Sequence, residues 1–383
     1  MKRSTDRILT THVGSLPRPD DVCAMLTAKE KGEKVDAAAF DALMSKAVQA
    51  VVRRQVEAGI DIVCDGEMSK PGYATYIRDR LTGFSGDSPR RPPADLALYP
   101  AYLKKIHAAG ETPSIIRQRC TAAVAVRDRK PLADDLARLG AAVKEAKPAA
   151  GAFMTAASPG VIANFQPNEF YPSHEKYIEA LAEAMREEYE TITRAGYVLQ
   201  VDCPDLAMSR HIMFAEESDE GFLRFAAQNV EALNHALANV SADQVRMHLC
   251  WGNYEGPHVC DIPLRKIIGT VLKAKPQGIS FEASNPRHGH EWAVFKEVRI
   301  PEDKVLLPGV IDSVSNFVEH PEYVAERIGR FADIVGRERV IASTDCGFGT
   351  FAGFGKIDPD ITYAKLKTMA EGAAIASRRL WGR

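Results

Sequence analysis

Eight short, strongly apolar segments recur along the chain, and longer helical patterns separate them. They predict β-strands at 8–15, 60–67, 151–158, 197–204, 244–252, 278–284, 305–312 and 340–347. Each carries several apolar residues in succession, as strands buried on both faces do. The segments 175–196 and 218–239 have helical patterns, and each begins near a serine with acidic residues in its first turns. Strands that alternate with helices indicate parallel pairing.

Eight such strands predict an α/β fold, a closed (β/α)8 TIM barrel, and 383 residues suit one barrel domain spanning 1–383. The alternative is an open, doubly wound sheet, but no G-x-G-x-x-G follows the first strand, which weakens a dinucleotide-binding version. Residues 84–140 interrupt the alternation with a proline-rich stretch and then a hairpin-like one. This segment predicts an insertion between strands two and three that forms an arm or lid.

The amino-acid composition limits the binding partners and the cellular location that we expect for this chain. The chain has 49 basic and 51 acidic residues and a formal net charge of -2, so nucleic acid is not an expected partner. The N-terminus lacks an apolar run of signal-peptide length, and no stretch approaches the roughly 18 apolar residues of a membrane span. Seven scattered cysteines indicate a reducing, cytoplasmic location, where a cysteine is a core residue or a ligand.

The active site of such a barrel lies at the C-terminal ends of its strands. The polar residues at these predicted ends are His12, Ser15, Asp65, Glu67, Asp202, His248, Cys250, Glu282, Asp312, Asp345 and Cys346. They are side chains typical of metal binding and acid–base chemistry, and all are predicted at one rim.

His248 and Cys250 are two residues apart in a predicted strand, so both side chains point to the same side. Glu282 and Cys346 end later strands and could complete a tetrahedral site with nitrogen, sulfur and oxygen ligands. Zinc suits this mixed set because it accepts thiolate, imidazole and carboxylate. The alternative is a core histidine with inert, buried cysteines.

Seven motifs at strand ends carry a family resemblance. They are THVGSLPRP (11–19), DGEMSKPGY (65–73), VDCPDLAM (201–208), MHLCWGN (247–253), SFEAS (280–284), LPGVIDS (307–313) and STDCGFG (343–349). Together they resemble the C-terminal catalytic barrel of cobalamin-independent methionine synthase and its shorter single-barrel relatives. The resemblance implies a zinc ion held by His248, Cys250, Glu282 and Cys346, with the glutamate as the ligand that yields to substrate sulfur.

The same resemblance implies homocysteine contacts at Gly14, Ser15, Glu67 and Asp202. The two acids suit an amino-acid substrate because its ammonium group would pair with them. A weaker match, the pair Arg119 and Cys120, resembles part of the family's folate contact.

Two departures concern the methyl donor. Val314 stands where the family has its acid histidine, and TAASPG (155–160) stands where the family has a tryptophan that stacks on folate. The candidate replacement acids are His288, His290, His12 and Asp312. For His288 and His290 the alternative is a helix N-terminus with solvated histidines.

These observations predict a zinc-dependent methyltransferase of methionine biosynthesis. It would move a methyl group from a folate, such as 5-methyltetrahydrofolate, or from another donor to homocysteine or a similar small thiol. One alternative is a zinc-dependent transferase of the coenzyme M type that opens an epoxide with a thiolate. Another is a non-catalytic zinc-carrying barrel. Glu67 and Asp202 favour an amino-acid thiol, because a sulfonate would need basic partners. The sequence leaves the donor and the oligomeric state open.

Overall fold

The computed structural model describes residues 1–88, 92–108, 116–355 and 357–382. The strands in these ranges are β1 Leu9–Thr10, β2 Ile62–Val63, β3 Phe84–Ser85, β4 Arg119–Cys120, β5 Gly151–Ala157, β6 Val198–Asp202, β7 Val245–Leu249, β8 Gly278–Phe281, β9 Val305–Ile311 and β10 Ile341–Thr344. Eight of these described strands form one sheet in the order β1-β10-β9-β8-β7-β6-β5-β2, and every pairing within it is parallel.

The two ends of this sheet meet at β1 and β2. The backbone N–H of Asp61 donates to the Thr10 carbonyl at 3.2 Å, and the Thr11 hydroxyl donates to the Ile62 carbonyl at 3.0 Å. These bonds bring the first and last strands of the sheet together into a barrel. The predicted (β/α)8 TIM barrel is therefore confirmed, and the doubly wound alternative is wrong. Each predicted strand contains an observed one but extends past it, because its C-terminal residues leave the sheet to form the barrel mouth.

Helices surround the barrel. They are α1 Asp20–Glu30, α2 Ala37–Glu57, α3 Ile77–Arg80, α4 Ala94–Ala97, α5 Pro100–Ala108, α6 Lys130–Ala146, α7 Pro159–Phe165, α8 His174–Arg194, α9 Ser209–Ile212, α10 Asp219–Ala236, α11 Leu264–Val271, α12 Pro321–Val335 and α13 Pro359–Trp381. Short 3₁₀ turns lie at Pro204–Leu206, Ala242–Gln244, Glu291–Lys296 and Arg337–Arg339. In the described ranges, none of the helices is both long enough and apolar enough to cross a membrane.

The two helices predicted from serine start signals are α8 and α10. Ser173 caps α8 by accepting from the Lys176 backbone N–H, and Ser218 caps α10 by accepting from that of Gly221. Such a cap satisfies one of the backbone donors that the first turn of a helix leaves free. The start signals in the sequence therefore have the expected physical basis.

The barrel interior is apolar at its floor and charged above it. Its apolar cluster consists of Leu9, Ile62, Cys64, Ala150, Phe153, Val305, Leu307 and Ile341. The guanidinium of Arg246 stacks 3.6 Å above the Phe153 ring and is buried. It donates to the His12 carbonyl, the Thr11 hydroxyl and the Gln200 side-chain oxygen at 2.7, 2.9 and 2.8 Å. A buried cation thus lies beneath the C-terminal ends of the strands.

The segment predicted as an insertion, residues 84–140, lies between β2 and β5. Its described parts are the antiparallel pair β3–β4, helices α4 and α5 and the first part of α6, while residues 89–91 and 109–115 lie outside the described residues. Helix α6 packs on α2 and buries Leu139 and Ala142 in the main core. It therefore belongs to the helical ring of the barrel, and the arm ends before Lys130.

Candidate metal and substrate site

Four predicted ligands converge at the barrel mouth from three strands. His248 lies in β7 and Cys250 follows it, Glu282 follows β8, and Cys346 follows β10. The Cys346 sulfur lies 3.0 Å from the Cys250 sulfur, 3.5 Å from His248 Nε2 and 3.7 Å from Glu282 Oε1. The donor atoms of His248, Cys250 and Cys346 lie within 4.8 Å of one another. The structure thus brings the four side chains together, with Glu282 at the edge of a three-residue centre.

The protonation of these side chains bears on whether they fit a cation. Burial lowers the pKa of His248 to about 3, so its imidazole is neutral and offers a lone pair. The hydrogen bond with Cys346 lowers the pKa of Cys250, but burial and nearby Glu282 outweigh it and raise that pKa to about 11. Burial also raises the pKa of Cys346. Such thiols ionise at neutral pH only beside a cation. Two sulfurs, a nitrogen and a carboxylate fit a zinc-like divalent ion.

Glu282 has hydrogen-bond partners of its own. Its Oε1 accepts from the Trp251 backbone N–H at 2.8 Å, and its Oε2 accepts from the Asn285 amide at 2.7 Å. Asp345 holds the adjoining loop, because its carboxylate accepts backbone N–H bonds from Ala283, Ser284 and Asn285 at 2.7 to 2.8 Å. Burial, Glu282 and Asp312 raise the pKa of Asp345 to about 8. The residue before Cys346 therefore fixes the loop that carries Glu282.

Glu67 lies at the turn after β2, and one of its carboxylate oxygens has no hydrogen-bond partner in the part of the chain that the structure describes. Its Oε1 accepts from the Thr155 hydroxyl at 2.8 Å. Its Oε2 is buried, forms no hydrogen bond to the described residues and lies 3.8 Å from Arg18 Nη2. Gly14 faces the same carboxylate with φ at +142°, and a Cβ there would lie 2.6 Å from a methyl group of Thr155. Glycine therefore lets the end of β1 approach Glu67 closely.

Asp202 ends β6 beside this carboxylate. Burial raises the pKa of Asp202 well above its ordinary value, and Glu67 adds to the effect. Gln200 donates to Asp202 Oδ1 at 2.9 Å, and the Gln200 oxygen accepts from Arg246 at 2.8 Å. Arg246 thus orients the amide that holds Asp202. Two buried acidic groups that line one cavity are stabilised when they share a proton or bind a cation.

These groups open into one cavity at the barrel mouth. Its walls are formed by Val13, Ser15, Glu67, Tyr73, Asp202, Pro204, Met208, His248, Cys250, Asn253, Cys346, Gly347 and Thr350. The metal-type side chains and the predicted substrate side chains Ser15, Glu67 and Asp202 therefore share one space. A larger surface cavity between α1, α3 and the β3–β4 pair contains none of the predicted site residues.

The arm contacts the loop that follows β7. The Tyr102 hydroxyl, in α5, donates to the Glu255 carbonyl at 2.7 Å, and Asp95, in α4, accepts from the Tyr254 hydroxyl at 2.8 Å. Asp95 also accepts from the His258 backbone N–H at 2.7 Å. The arm is thus held against the loop after β7, the loop that begins at Cys250.

His12 lies below the cavity rather than in its wall. Its Nε2 is 2.7 Å from Gln55 Oε1, and its Nδ1 accepts from the Gly14 backbone N–H at 3.2 Å. Burial lowers the pKa of His12 to about 4. A neutral imidazole with both nitrogens occupied holds Gly14 in place, and this geometry does not bring His12 to a leaving group.

The other three candidate acids also lie outside the cavity wall. His288 is buried with both nitrogens bonded to carboxylates, those of Asp261 and Glu291. His290 is exposed and precedes the 3₁₀ turn Glu291–Lys296, which agrees with the alternative of a solvated histidine at a helix N-terminus. Asp312 accepts from the Val314 backbone N–H at 3.0 Å within a turn. The structure therefore brings none of these three into the cavity.

The weak folate match lies in the arm. Arg119 and Cys120 form β4, where Arg119 pairs with Glu169 at 3.0 Å and Cys120 lies opposite Phe84 of β3. Neither side chain lines the mouth cavity. Their position gives the folate contact no geometric support.

Tyr73 and Asn253 line the cavity and were not singled out from the sequence. The Tyr73 ring packs edge-on against Phe165 at 5.4 Å and tilted against Phe351 at 5.7 Å, so three elements share one aromatic wall. The Asn253 amide donates to the Gly347 carbonyl and the Thr350 hydroxyl, each at 2.7 Å. Both residues lie in quoted motifs, DGEMSKPGY and MHLCWGN, and their motif membership was the only available signal.

Comparison with known proteins places this geometry in a family. The family model described as "Cobalamin-independent synthase, Catalytic domain" matches residues 8–89 and 171–374, which leaves most of the arm unmatched. A methionine synthase of Thermococcus kodakarensis is 28% identical over 374 residues, covering 97% of this chain and 94% of that protein. One of Saccharolobus solfataricus is 26% identical over 376 residues, covering 97% and 95%.

Two solved structures share the fold. A B12-independent methionine synthase from Shewanella sp. W3-18-1, in complex with selenomethionine, superposes with a TM-score of 0.75 at 18% identity and covers 98% of this chain and 100% of that one. A putative vitamin-B12-independent methionine synthase from Listeria monocytogenes has a TM-score of 0.64 at 19% identity and covers 96% and 98%. Since the family model matches well over half of the sequence, the chain belongs to the family of cobalamin-independent synthase catalytic domains.

Proposed function

We propose that this protein is a zinc-dependent methyltransferase that methylates the sulfur of homocysteine. The observation that carries the proposal is the convergence of His248, Cys250 and Cys346 in the wall of a cavity that also contains Glu67 and Asp202. The first three side chains suit a thiophilic metal, and the two acids suit an ammonium group. Family membership and the methionine synthases among its relatives support the same activity.

His248, Cys250, Cys346 and Glu282 would hold the metal. When bound, zinc lowers the pKa of a coordinated thiol, so that the substrate sulfur is a thiolate at neutral pH. Among the four ligands, Glu282 is the one we expect to be displaced by substrate. Its oxygens already accept from Trp251 and Asn285, so its charge stays solvated by the protein after it leaves the metal. Within the described ranges, the Cys250 sulfur accepts a single backbone N–H, from Gly252 at 3.2 Å.

The amino-acid part of the substrate would bind at the acidic end of the cavity. The Glu67 oxygen that has no hydrogen-bond partner among the described residues is buried and can accept from an ammonium, and Asp202 lines the same cavity. Gln200 and Arg246 hold Asp202 in place from below. Binding there fixes the homocysteine chain and directs its sulfur toward Cys250 and Cys346, which supplies the positioning that in-line transfer requires.

In the transfer step the substrate sulfur forms a bond to the methyl carbon, and the bond from that carbon to its carrier breaks. The carrier atom takes up a proton as it leaves, since an unprotonated amide-like nitrogen is a poor leaving group. Tyr73 lines the cavity, and burial raises the pKa of its phenol well above the ordinary value, so the phenol holds a proton at neutral pH. We assign the proton donation to Tyr73. The methyl carrier is a folate, such as 5-methyltetrahydrofolate, or another donor.

The epoxide-opening alternative receives no support from the relatives described above, which are called methionine synthases. The acidic end of the cavity also disfavours a sulfonate thiol, because Glu67 and Asp202 would repel it. The non-catalytic alternative predicts metal binding without turnover.

One assay separates the three functions. Zinc-loaded protein is incubated with homocysteine and, in separate reactions, 5-methyltetrahydrofolate, a simple methyl donor or a short epoxide, and the thioether product is measured by mass spectrometry. Methionine formed with a methyl donor and lost in metal-free protein supports the proposal. A hydroxyalkyl thioether formed only from the epoxide indicates the epoxide transferase. Metal binding without any thioether contradicts both enzymatic functions.

A further inference from the structure

A second group of potential metal ligands lies outside the mouth cavity. We call it the three-histidine cluster, and it consists of His211, His258, His288 and Asp261. His258 Nδ1 and His288 Nε2 lie 2.8 and 2.9 Å from Asp261 Oδ2, and His211 Nδ1 lies 3.3 Å from Asp261 Oδ1. Three imidazoles thus face one carboxylate. They come from three places in the chain: helix α9, the loop after β7 and the loop after β8.

The outward-facing nitrogen of each histidine meets an oxygen. His288 Nδ1 lies 2.8 Å from Glu291 Oε2, His258 Nε2 lies 3.0 Å from the Tyr254 carbonyl, and His211 Nε2 lies 3.4 Å from the Tyr254 hydroxyl. A histidine that binds a metal through one nitrogen donates its other N–H to a carboxylate or a carbonyl, which fixes the tautomer. The outer contacts of His288 and His258 follow this arrangement, and the outer contact of His211 is to a hydroxyl. The inner nitrogens all face Asp261, so a metal that replaces the shared protons could take them as ligands.

Two atoms at the centre of the cluster are unsatisfied. His211 Nδ1 and Asp261 Oδ1 are buried and form no hydrogen bond within the described residues, although they face each other. The exposed fractions of the two residues are 1% and 7%. A buried polar atom without a partner costs free energy and calls for a physical reason, such as an ion. A cation at the centre would satisfy both atoms.

We propose that the three-histidine cluster binds a divalent transition metal such as zinc, separately from the cysteine-containing site. Three imidazole nitrogens and one carboxylate oxygen form a four-ligand set that borderline cations accept. The set shares no residue with His248, Cys250, Glu282 and Cys346. Four protein ligands leave no open position, so the metal has a structural role.

Its structural role follows from the segments that it joins. The loop after β7 begins at Cys250, and the loop after β8 begins at Glu282, so both also serve the first site. The Trp251 ring stacks on the His288 ring at 4.2 Å, and the Trp251 backbone N–H donates to Glu282. A metal in the cluster would therefore brace the loops that position the first site.

In the competing state, protons rather than a metal connect the histidine nitrogens to Asp261. Burial lowers the pKa of His288, but its hydrogen bonds to Asp261 and Glu291 outweigh this and raise the pKa to about 10. In that state His288 would be an imidazolium between two carboxylates. A metal has to displace this proton, so metal stoichiometry decides between the two states.

The experiment measures metal per chain by inductively coupled plasma mass spectrometry after dialysis against buffered zinc. Wild-type protein should contain two equivalents, Cys346→Ser one, and Asp261→Asn one. His258→Gln provides a milder second test of the cluster, and His107→Gln, an exposed histidine in α5, is the matched control that should retain two. One equivalent in wild-type protein that folded Asp261→Asn retains, or two equivalents in folded Asp261→Asn, overturns the proposal.

Cobalt substitution distinguishes the two sites by their ligands. Cobalt bound to cysteine gives a thiolate-to-metal charge-transfer band, whereas cobalt bound to the cluster gives only d–d bands. Asp261→Asn should lose d–d intensity and keep the charge-transfer band, and Cys346→Ser should weaken or lose that band and keep d–d intensity. Absence of the charge-transfer band in wild-type protein would count against the proposed methyltransferase, while the d–d intensity still reports on the cluster.

Discussion

Replacement of Glu67 by glutamine removes one negative charge from the acidic end of the cavity and keeps the size of the side chain. Glutamine can still accept from the Thr155 hydroxyl through its amide oxygen. The change falls on the buried Oε2, which has no hydrogen-bond partner among the described residues. The substitution therefore tests whether this oxygen binds the ammonium group of an amino-acid substrate.

The expected size of the effect follows from the charges around that oxygen. A hydrogen bond to a charged group contributes about 1.5–3 kcal/mol, which corresponds to a change of roughly 10- to 150-fold in affinity. Arg18 Nη2 lies 3.8 Å from the same oxygen and stays in place. In Glu67→Gln its charge would be less compensated and would repel an incoming ammonium, so we expect the upper part of the range, about 100-fold.

The assay compares two thiols. Homocysteine carries the amino group, whereas 4-mercaptobutyrate keeps the thiol and the carboxylate and lacks the amine. In Glu67→Gln the KM for homocysteine should rise about 100-fold, while the KM for 4-mercaptobutyrate should change by no more than about threefold. Glu183→Gln, an exposed carboxylate on α8, is the control and should affect neither. Equal increases for both thiols would refute the ammonium role of Glu67.

Three further perturbations test the site. Cys346→Ser should lose the first metal and the activity yet keep the circular dichroism of the barrel, because its side chain lies at the mouth; a metal-replete variant would contradict this ligand. Tyr73→Phe should lower kcat about 100-fold with little change in the homocysteine KM, and an unchanged kcat would exclude proton donation. For His12, burial lowers the pKa from 6.5 to about 4, so the unfolded chain gains a proton first as the pH falls. In metal-free protein His12 should therefore contribute a loss of about 3 kcal/mol between pH 6.5 and 4, measured as the difference between wild type and His12→Asn in urea titrations, and equal pH profiles of the two would contradict it.

The barrel was predicted from simple periodicity, whereas the set of four candidate metal ligands was predicted from the family resemblance. Residues two apart in a strand point to one side, so His248 and Cys250 had to share a direction. Parallel strands end at one rim, which places Glu282 and Cys346 at the same end of the barrel, but only the resemblance distinguished them from the other polar residues there. The positions are fixed by the fold, and the structure brings all four within reach of one another.

Buried charge explains what the sequence did not reveal. The predicted insertion, residues 84–140, includes most of helix α6, and the sequence does not reveal that Asp135 and Arg138 of this helix are buried in an ion pair at 3.1 Å. Arg246 was overlooked for the same reason, since an arginine inside a barrel strand is unusual. Only the three-dimensional arrangement shows that its charge is satisfied by His12, Thr11 and Gln200.

The three-histidine cluster lay beyond sequence inference because its members come from separate loops, and its position matters for how the first site works. Trp251 contacts both groups: its N–H bonds to Glu282, and its ring covers His288. When a displaceable carboxylate such as Glu282 leaves the metal, its charge has to be stabilised by a hydrogen-bond donor that is held in place, here the Trp251 backbone N–H. If the cluster holds the loop around Trp251 rigid, that donor is always in place, and release of Glu282 requires no rearrangement of the backbone. The stability of the second site would then set how readily the first site exchanges its glutamate for substrate sulfur.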